Sequence, residues 1–219
     1  MMYIVNYFTH RKNDLILIFT VVYTLVFTVN GLLERNLEFL YYTILMVGLI
    51  CFVLMYNLQL HLGFFIVMNL SILGFMHLLG GNHYVEGIRL YDRFFLDGVL
   101  RYDNIVHAYG TFIATLALYS LIVDFIDVRL RRHYIRFSLV LVLMAIGIGT
   151  INELVEFAAV VFLGAAEQVG DYFNNALDLL FNTIGSIAAC LIIYVYRERP
   201  KFYQKVADKL SERSGGTAV

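Results

Sequence analysis

Six apolar runs, at roughly 14–33, 37–56, 60–79, 104–126, 137–163 and 175–196, dominate the sequence. Each is near the ~20 residues that an α-helix needs to cross a hydrocarbon layer ~30 Å thick. Inside that layer every backbone N–H and C=O must be satisfied within its own segment, so such runs fold as spanning helices. Composition agrees, with 60% hydrophobic and 15% charged residues, against about half and about a quarter in soluble domains. The expected fold is an all-α integral membrane protein, a six-helix transmembrane bundle over residues 14–196. Residues 1–13 form a cytoplasmic N-terminus and 197–219 a basic amphipathic cytoplasmic tail.

The first run follows His10, Arg11 and Lys12, and is too long for a signal peptide. No small-residue cleavage pattern follows it in Asn30-Gly31-Leu32-Leu33-Glu34-Arg35, so a retained anchor is expected. Short turns, Glu34-Arg35-Asn36 and Asn57 to Gln59, make the first three helices antiparallel neighbours. The longer Gly80–Asp103 segment mixes charges with Tyr84, Tyr91, Phe94, Phe95 and Leu96, and is expected in the interface or folded back over the bundle. Pro200 lies beyond the last run, so no span is broken by proline. Cys51 and Cys190 each sit in an apolar run and act as small hydrophobes. A net charge of −1 supplies no basic field for nucleic acid.

Charge asymmetry sets an orientation. With the N-terminus inside, twelve of the sixteen Lys and Arg fall on cytoplasmic segments, and only Arg35, Arg89, Arg93 and Arg101 fall outside. The positive-inside rule then places both termini in the cytoplasm of the cell (inner) membrane. The tail carries Phe202, Val206 and Leu210 at helical spacing beside its lysines, the pattern of a helix lying on an anionic leaflet.

Against this frame the ionisable residues gather at one end. Glu153 and Glu156 lie roughly 24 and 28 Å up the fifth span, counting from Phe137 at about 1.5 Å per residue. His77 ends the third span, and Asp103 and His107 share one face at the start of the fourth. Asp171, Asn174, Asn175, Asp178 and Asn182 trace a single stripe opening the sixth. Ionisable groups inside a span are costly and face a bundle interior or a polar cavity. A polar pocket at the extracytoplasmic end of spans three to six is therefore expected, with the first two spans as packing elements almost without buried charge.

At the same residues the chain resembles the YjdF-type inner-membrane proteins, a family of unknown function. The motifs are Gly80-Gly81-Asn82-His83-Tyr84, Arg101-Tyr102-Asp103-Asn104-Ile105-Val106-His107, Asn152-Glu153-Leu154-Val155-Glu156 and the run from Asp171 to Gly185. More distantly, the order D-x3-H, E-x2-E, D-x3-N-x2-G is similar to VanZ-like membrane proteins linked to glycopeptide resistance. This chain departs from them in having Phe157 and no arginine between Glu156 and Asp178.

Three uses of such a pocket stay open. In an enzyme acting on a lipid or lipid-linked envelope substrate, Glu153 or Glu156 is the base, Asp103 orients His107, and Asp178 completes the catalytic set. Arg89, Arg93 or Arg101, with Asn182, would hold the substrate headgroup. A divalent metal held by His77, His107, Glu156 and Asp178 is a variant of that reading. A proton- or cation-coupled carrier uses the same groups, but the inner halves of the spans offer little beyond Asn69, Ser71 and Ser138, and no inverted repeat appears. A non-catalytic scaffold needs only interhelical hydrogen bonds. Membrane lipids are the partner common to all three.

Overall fold

The computed structural model describes residues 2–60, 62–164 and 172–215. Among them are helices α1 (Met2–Leu33), α2 (Leu37–Leu60), α3 (Phe64–Asn82), α4 (Tyr102–Ile122), the short α5 (Val128–Arg132), α6 (Tyr134–Leu163) and α7 (Tyr172–Gly215). Six of these are long and apolar enough to cross a membrane, over Lys12–Leu33, Leu37–Met55, Phe64–Asn82, Tyr102–Ile122, Tyr134–Leu163 and Tyr172–Tyr196. The protein is an all-α, six-helix membrane bundle. Leu139, Leu143, Ile151, Leu154 and Phe162 of α6 are exposed, as expected of a helix whose outer face meets lipid rather than water.

Helix ends follow local chemistry. Gly164 takes a left-handed φ of 71° and stops α6, its N–H bonding the Val160 carbonyl 3.1 Å away. The turn expected at Asn57–Gln59 lies later, because α2 continues to Leu60 and an extended Gly63 precedes α3. The fourth span ends at Ile122 rather than 126, and Asp127 then caps α5 by accepting the Arg129 N–H at 2.6 Å. The last helix runs on without a break through Pro200.

The segment between α3 and α4 folds back onto the bundle as two small hairpins. Strands β1 (Tyr84–Val85) and β2 (Ile88–Arg89) join through Glu86 and Gly87, both at positive φ (56° and 80°), the two-residue turn that matches strand twist. A 3-10 turn (Leu90–Asp92) drops Tyr91 onto α3. Strands β3 (Phe94–Leu96) and β4 (Leu100–Arg101) then lead directly into α4. Tyr91 stacks edge-on with Tyr102 and tilted on Phe39.

The most extensive helix pairing is α4 with α7, followed by α6 with α7. Close approach there depends on glycine: a Cβ at Gly185 would overlap the Ala108 carbonyl, and one at Gly149 would lie 2.6 Å from Asn182 Nδ2. One core cluster (Phe39, Tyr42, Ala159, with Tyr91 and Val155) sits at the end where α4 and α7 begin. A second (Phe137, Leu141, Cys190, Ile193) fills the opposite end. Cys190 is buried in that second core, as a small hydrophobe would be, whereas Cys51 is exposed on α2.

Candidate functional site

Helical periodicity alone brings the polar groups together. On α4, residues 103, 107, 111 and 115 recur every fourth position, and on α7 so do 174, 178, 182 and 186. All eight are buried. Where the two stripes meet the Glu153–Glu156 face of α6, His107 stands at the centre. Its Nε2 lies 3.3 Å from Asp103 Oδ1 and 3.9 Å from both Glu156 Oε1 and Asp178 Oδ1. Its Nδ1 faces Glu153 Oε1 at 3.6 Å. Five of the sequence-derived residues thus form one cluster, at the end of the bundle where α4 and α7 start.

Asparagines set the carboxylates. Asn104 accepts the Arg101 backbone N–H on Oδ1 (2.9 Å), which turns its amide nitrogen toward Asp178 Oδ1 (2.9 Å). Asn174 accepts Arg101 Nη1 on Oδ1 (2.6 Å) and donates to Asp178 Oδ2 (2.9 Å), with Asp103 Oδ2 at 3.5 Å. Asp178, 0% exposed, therefore has an amide donor on each oxygen. Asn152 donates to Glu156 Oε1 at 2.7 Å. Glu153 differs: both of its oxygens are buried and neither has a hydrogen-bond partner among the described residues, nor does Asn182 Nδ2.

The structure keeps His77, Arg89 and Arg93 apart from this cluster. His77 does not join it. Its Nδ1 bonds the Tyr91 hydroxyl at 2.6 Å, and its ring is boxed by Phe39, Tyr42 and Tyr91. Burial pushes the Tyr91 phenol well above its ordinary value of 10.0, and the nearby Asp103 and Glu156 charges add to this, so it stays a neutral partner for His77. Arg89 pairs with Asp92 (2.8 Å) and Glu38 (3.1 Å), and Arg93 with Glu86 (3.1 Å). Both hold the first hairpin and its neighbours rather than the cluster. Of the three arginines, Arg101 alone reaches the site, its guanidinium also lying over the Phe94 ring at 4.6 Å. Asn182 sits one turn below Asp178, against Gly149. Asp171 lies outside the described residues.

Several participants were not singled out by sequence. Glu38 is a buried acid on α2 that pairs with Arg89, so the first two spans are not without buried charge. Thr111, Thr115 and Ser186 extend the two stripes deeper, their hydroxyls bonding carbonyls of their own helices. The signal that finds them is the unbroken i, i+4 recurrence below Asp103 and Asn174. On α1 and α3, Thr20 and Tyr23 join Ser71, which with Asn69 is among the few inner polar residues the sequence offers, in a separate interhelical patch, with Thr20 and Ser71 hydroxyls 2.6 Å apart. Asn69 accepts from Tyr109 at 2.5 Å.

If all four were ionised, the carboxylates within reach of one imidazole would carry a large negative charge in a low-dielectric place. Ionised groups there persist only when compensated by a cation or a proton. The arrangement can therefore hold a cation or exchange protons, and three helices fix its geometry.

No curated protein and no solved structure matches the chain. A family model described as a predicted membrane protein, DUF2238, matches residues 15–199, which include every residue of the cluster. With that match covering most of its length, the protein belongs to the DUF2238 family of predicted membrane proteins.

Proposed function

We propose that the protein is a membrane enzyme of the cell (inner) membrane that works on a lipid or lipid-linked envelope substrate through the α4–α6–α7 cluster. The observation that carries this is Glu153. A carboxylate with both oxygens buried and no donor among the described residues costs on the order of several kcal/mol, and a structural polar core has no use for it. A working acid or base does. His107 lies between Glu153 and Asp103, so a proton can be held on either ring nitrogen. Arg101, at the mouth of the cluster and already turned toward Asn174, is the group best placed to meet a phosphate headgroup. The distribution of Lys and Arg supports an extracytoplasmic position for the cluster. The YjdF-type resemblance falls on these same residues, whereas Phe157 and the missing arginine between Glu156 and Asp178 weaken the transfer of an envelope role from VanZ-like proteins.

Deleting the gene and comparing whole-cell and envelope lipid-linked profiles tests this. Wild-type protein and Arg93→Ala should restore the profile, whereas Glu153→Gln and Asp178→Asn should not. An unchanged profile on deletion removes the enzyme reading.

One observation favours a second reading, a proton- or cation-coupled carrier. The buried stripe Thr111, Thr115, Asn182 and Ser186 leads from the cluster toward the other end of the bundle. Against it, all three hydroxyls of the stripe are engaged with their own helix carbonyls, the usual state of Ser and Thr in spans. Proteoliposome ion flux abolished by Asp178→Asn would favour the carrier; absence of flux would remove it.

A further inference from the structure

We propose that the cluster is a binding site for one divalent transition-metal ion. Its ligands are His107 Nε2 and the carboxylates of Asp103, Glu156 and Asp178, and Glu153 is a positioning residue on the opposite ring nitrogen. The inference rests on the cluster being the working site and is independent of which substrate it serves.

The imidazole is surrounded unequally. Three carboxylate oxygens, from Asp103, Glu156 and Asp178, lie 3.3, 3.9 and 3.9 Å from Nε2, while only Glu153 faces Nδ1, at 3.6 Å. With the ring proton on Nδ1 and directed at Glu153, the Nε2 lone pair confronts three oxygen lone-pair donors. Such an assembly is repulsive unless a cation or a proton lies among them, and three converging oxygens offer an ion more ligands than a single proton needs. A tetrahedral ion with bonds of about 2.1 Å sets its ligand atoms about 3.4 Å apart; the distances to Nε2 come near this, and Glu156, which groups with His107 and Glu153, closes onto the Asp103–His107–Asp178 triad to complete the site. Asp103, His107 and Asp178 offer ligand atoms all within 4.8 Å of one another, and so do His107, Glu153 and Glu156.

The outer layer is built as metal sites are built. A ligating histidine usually donates its other N–H to a carboxylate, which fixes ring orientation and tautomer, and Glu153 stands in that place. With no other hydrogen-bond partner among the described residues, it is available for this one bond. Asn104 and Asn174 pin Asp178, and Asn152 pins Glu156. Asn182, 1% exposed, has an amide nitrogen without an acceptor among the described residues, one turn below Asp178. It packs against Gly149, where it is available to bond a water or a substrate oxygen. Three ligand carboxylates leave a divalent ion with one excess negative charge, and Arg101 lies one amide away through Asn174. One imidazole with three carboxylates suits zinc, manganese or ferrous iron; calcium and magnesium prefer all-oxygen shells.

The test uses full-length protein purified without a histidine tag, stripped with chelator and titrated with Zn2+, Mn2+ and Co2+. Monodispersity and thermal midpoint serve as fold controls. Wild type should bind about one ion per chain, and Co2+ should give the visible spectrum of a four-coordinate site. His107→Ala and Asp178→Asn should lose binding, with Asp103→Asn as the substitute if either fails to fold. Glu153→Gln should keep the stoichiometry but bind about 10–100-fold more weakly, and Glu153→Asp should recover part of that loss. His77→Gln should bind as wild type does. Wild type binding no more ion than His107→Ala overturns the site, and leaves His107 as a proton carrier between acids. Loss of stoichiometry in Glu153→Gln overturns its positioning role, and loss in His77→Gln overturns the ligand set. Metal binding without any lipid change on deletion sinks the substrate reading and keeps the metal. A lipid change without metal does the reverse.

Discussion

Arg101 grips Asp178 without touching it. Its backbone N–H orients Asn104 and its guanidinium orients Asn174, and each asparagine donates to one of the two Asp178 oxygens at 2.9 Å. One residue at the start of α4 thereby sets a carboxylate on α7. Arg101→Ala should leave the Asn104 bond and release the Asn174 one, so a single oxygen of Asp178 loses its orienting donor. We expect about 1–3 kcal/mol of lost stability, read as a lower thermal midpoint in detergent. Complementation should fall by more than tenfold, and Arg101→Lys should not restore it, because a lysine cannot match the guanidinium geometry.

The two other arginines of the α3–α4 connection should part company. Arg89→Ala leaves Glu38 buried without its partner at 3.1 Å and should cost about 3–5 kcal/mol. Arg93 pairs with an exposed Glu86, so Arg93→Ala should cost at most about 1 kcal/mol. Equal effects on the thermal midpoint would contradict the structure.

Glycines of α6 and α7 should behave differently according to what faces them. Gly185→Ala drives a methyl into the Ala108 carbonyl, which is backbone and cannot swing aside, so α4 and α7 must separate at a cost of about 1–3 kcal/mol or more. Gly149→Ala pushes on Asn182, and its effect should fall on function as much as on stability. Gly147, with nothing within 4 Å of an added Cβ, should tolerate alanine and gain up to about 1 kcal/mol in helix stability.

The spans and the residues of the site were legible in sequence, because the ~20-residue apolar length and the 3.6-residue period are written into the chain. The stripe from Asn174 to Asn182 and the Asp103–His107 pair needed no more than that. Other features depend on how elements rotate against one another, which no period encodes. His77 has the same credentials as His107, an imidazole at a span end, yet a turn fourteen residues later delivers Tyr91 to its ring. Arg89 and Arg93 look like headgroup ligands until the hairpin turns them to Glu38 and Glu86. Glu38 itself, next to the charges of the Glu34–Asn36 turn, resembles a solvated helix start.

Tyr91 provides a pH signature. Burial holds its phenol well above 10.0, so above about pH 10 the unfolded chain releases this proton while the folded protein keeps it. Stability must then fall as pH rises. The thermal midpoint of wild type should decline more steeply above pH 10 than that of Tyr91→Phe, which keeps the ring and loses the ionisable group. Identical slopes would contradict burial of the hydroxyl against His77.

The central claim is that His107 and its carboxylates form one cation-binding centre. An anomalous-scattering map from crystals of the protein loaded with Zn2+ or Mn2+ tests it most directly. The account predicts one peak about 2.1 Å from His107 Nε2, flanked by Asp103, Glu156 and Asp178, with Glu153 on the far side of the ring. A metal-loaded crystal with no peak at His107, or with its peak at His77, would contradict it.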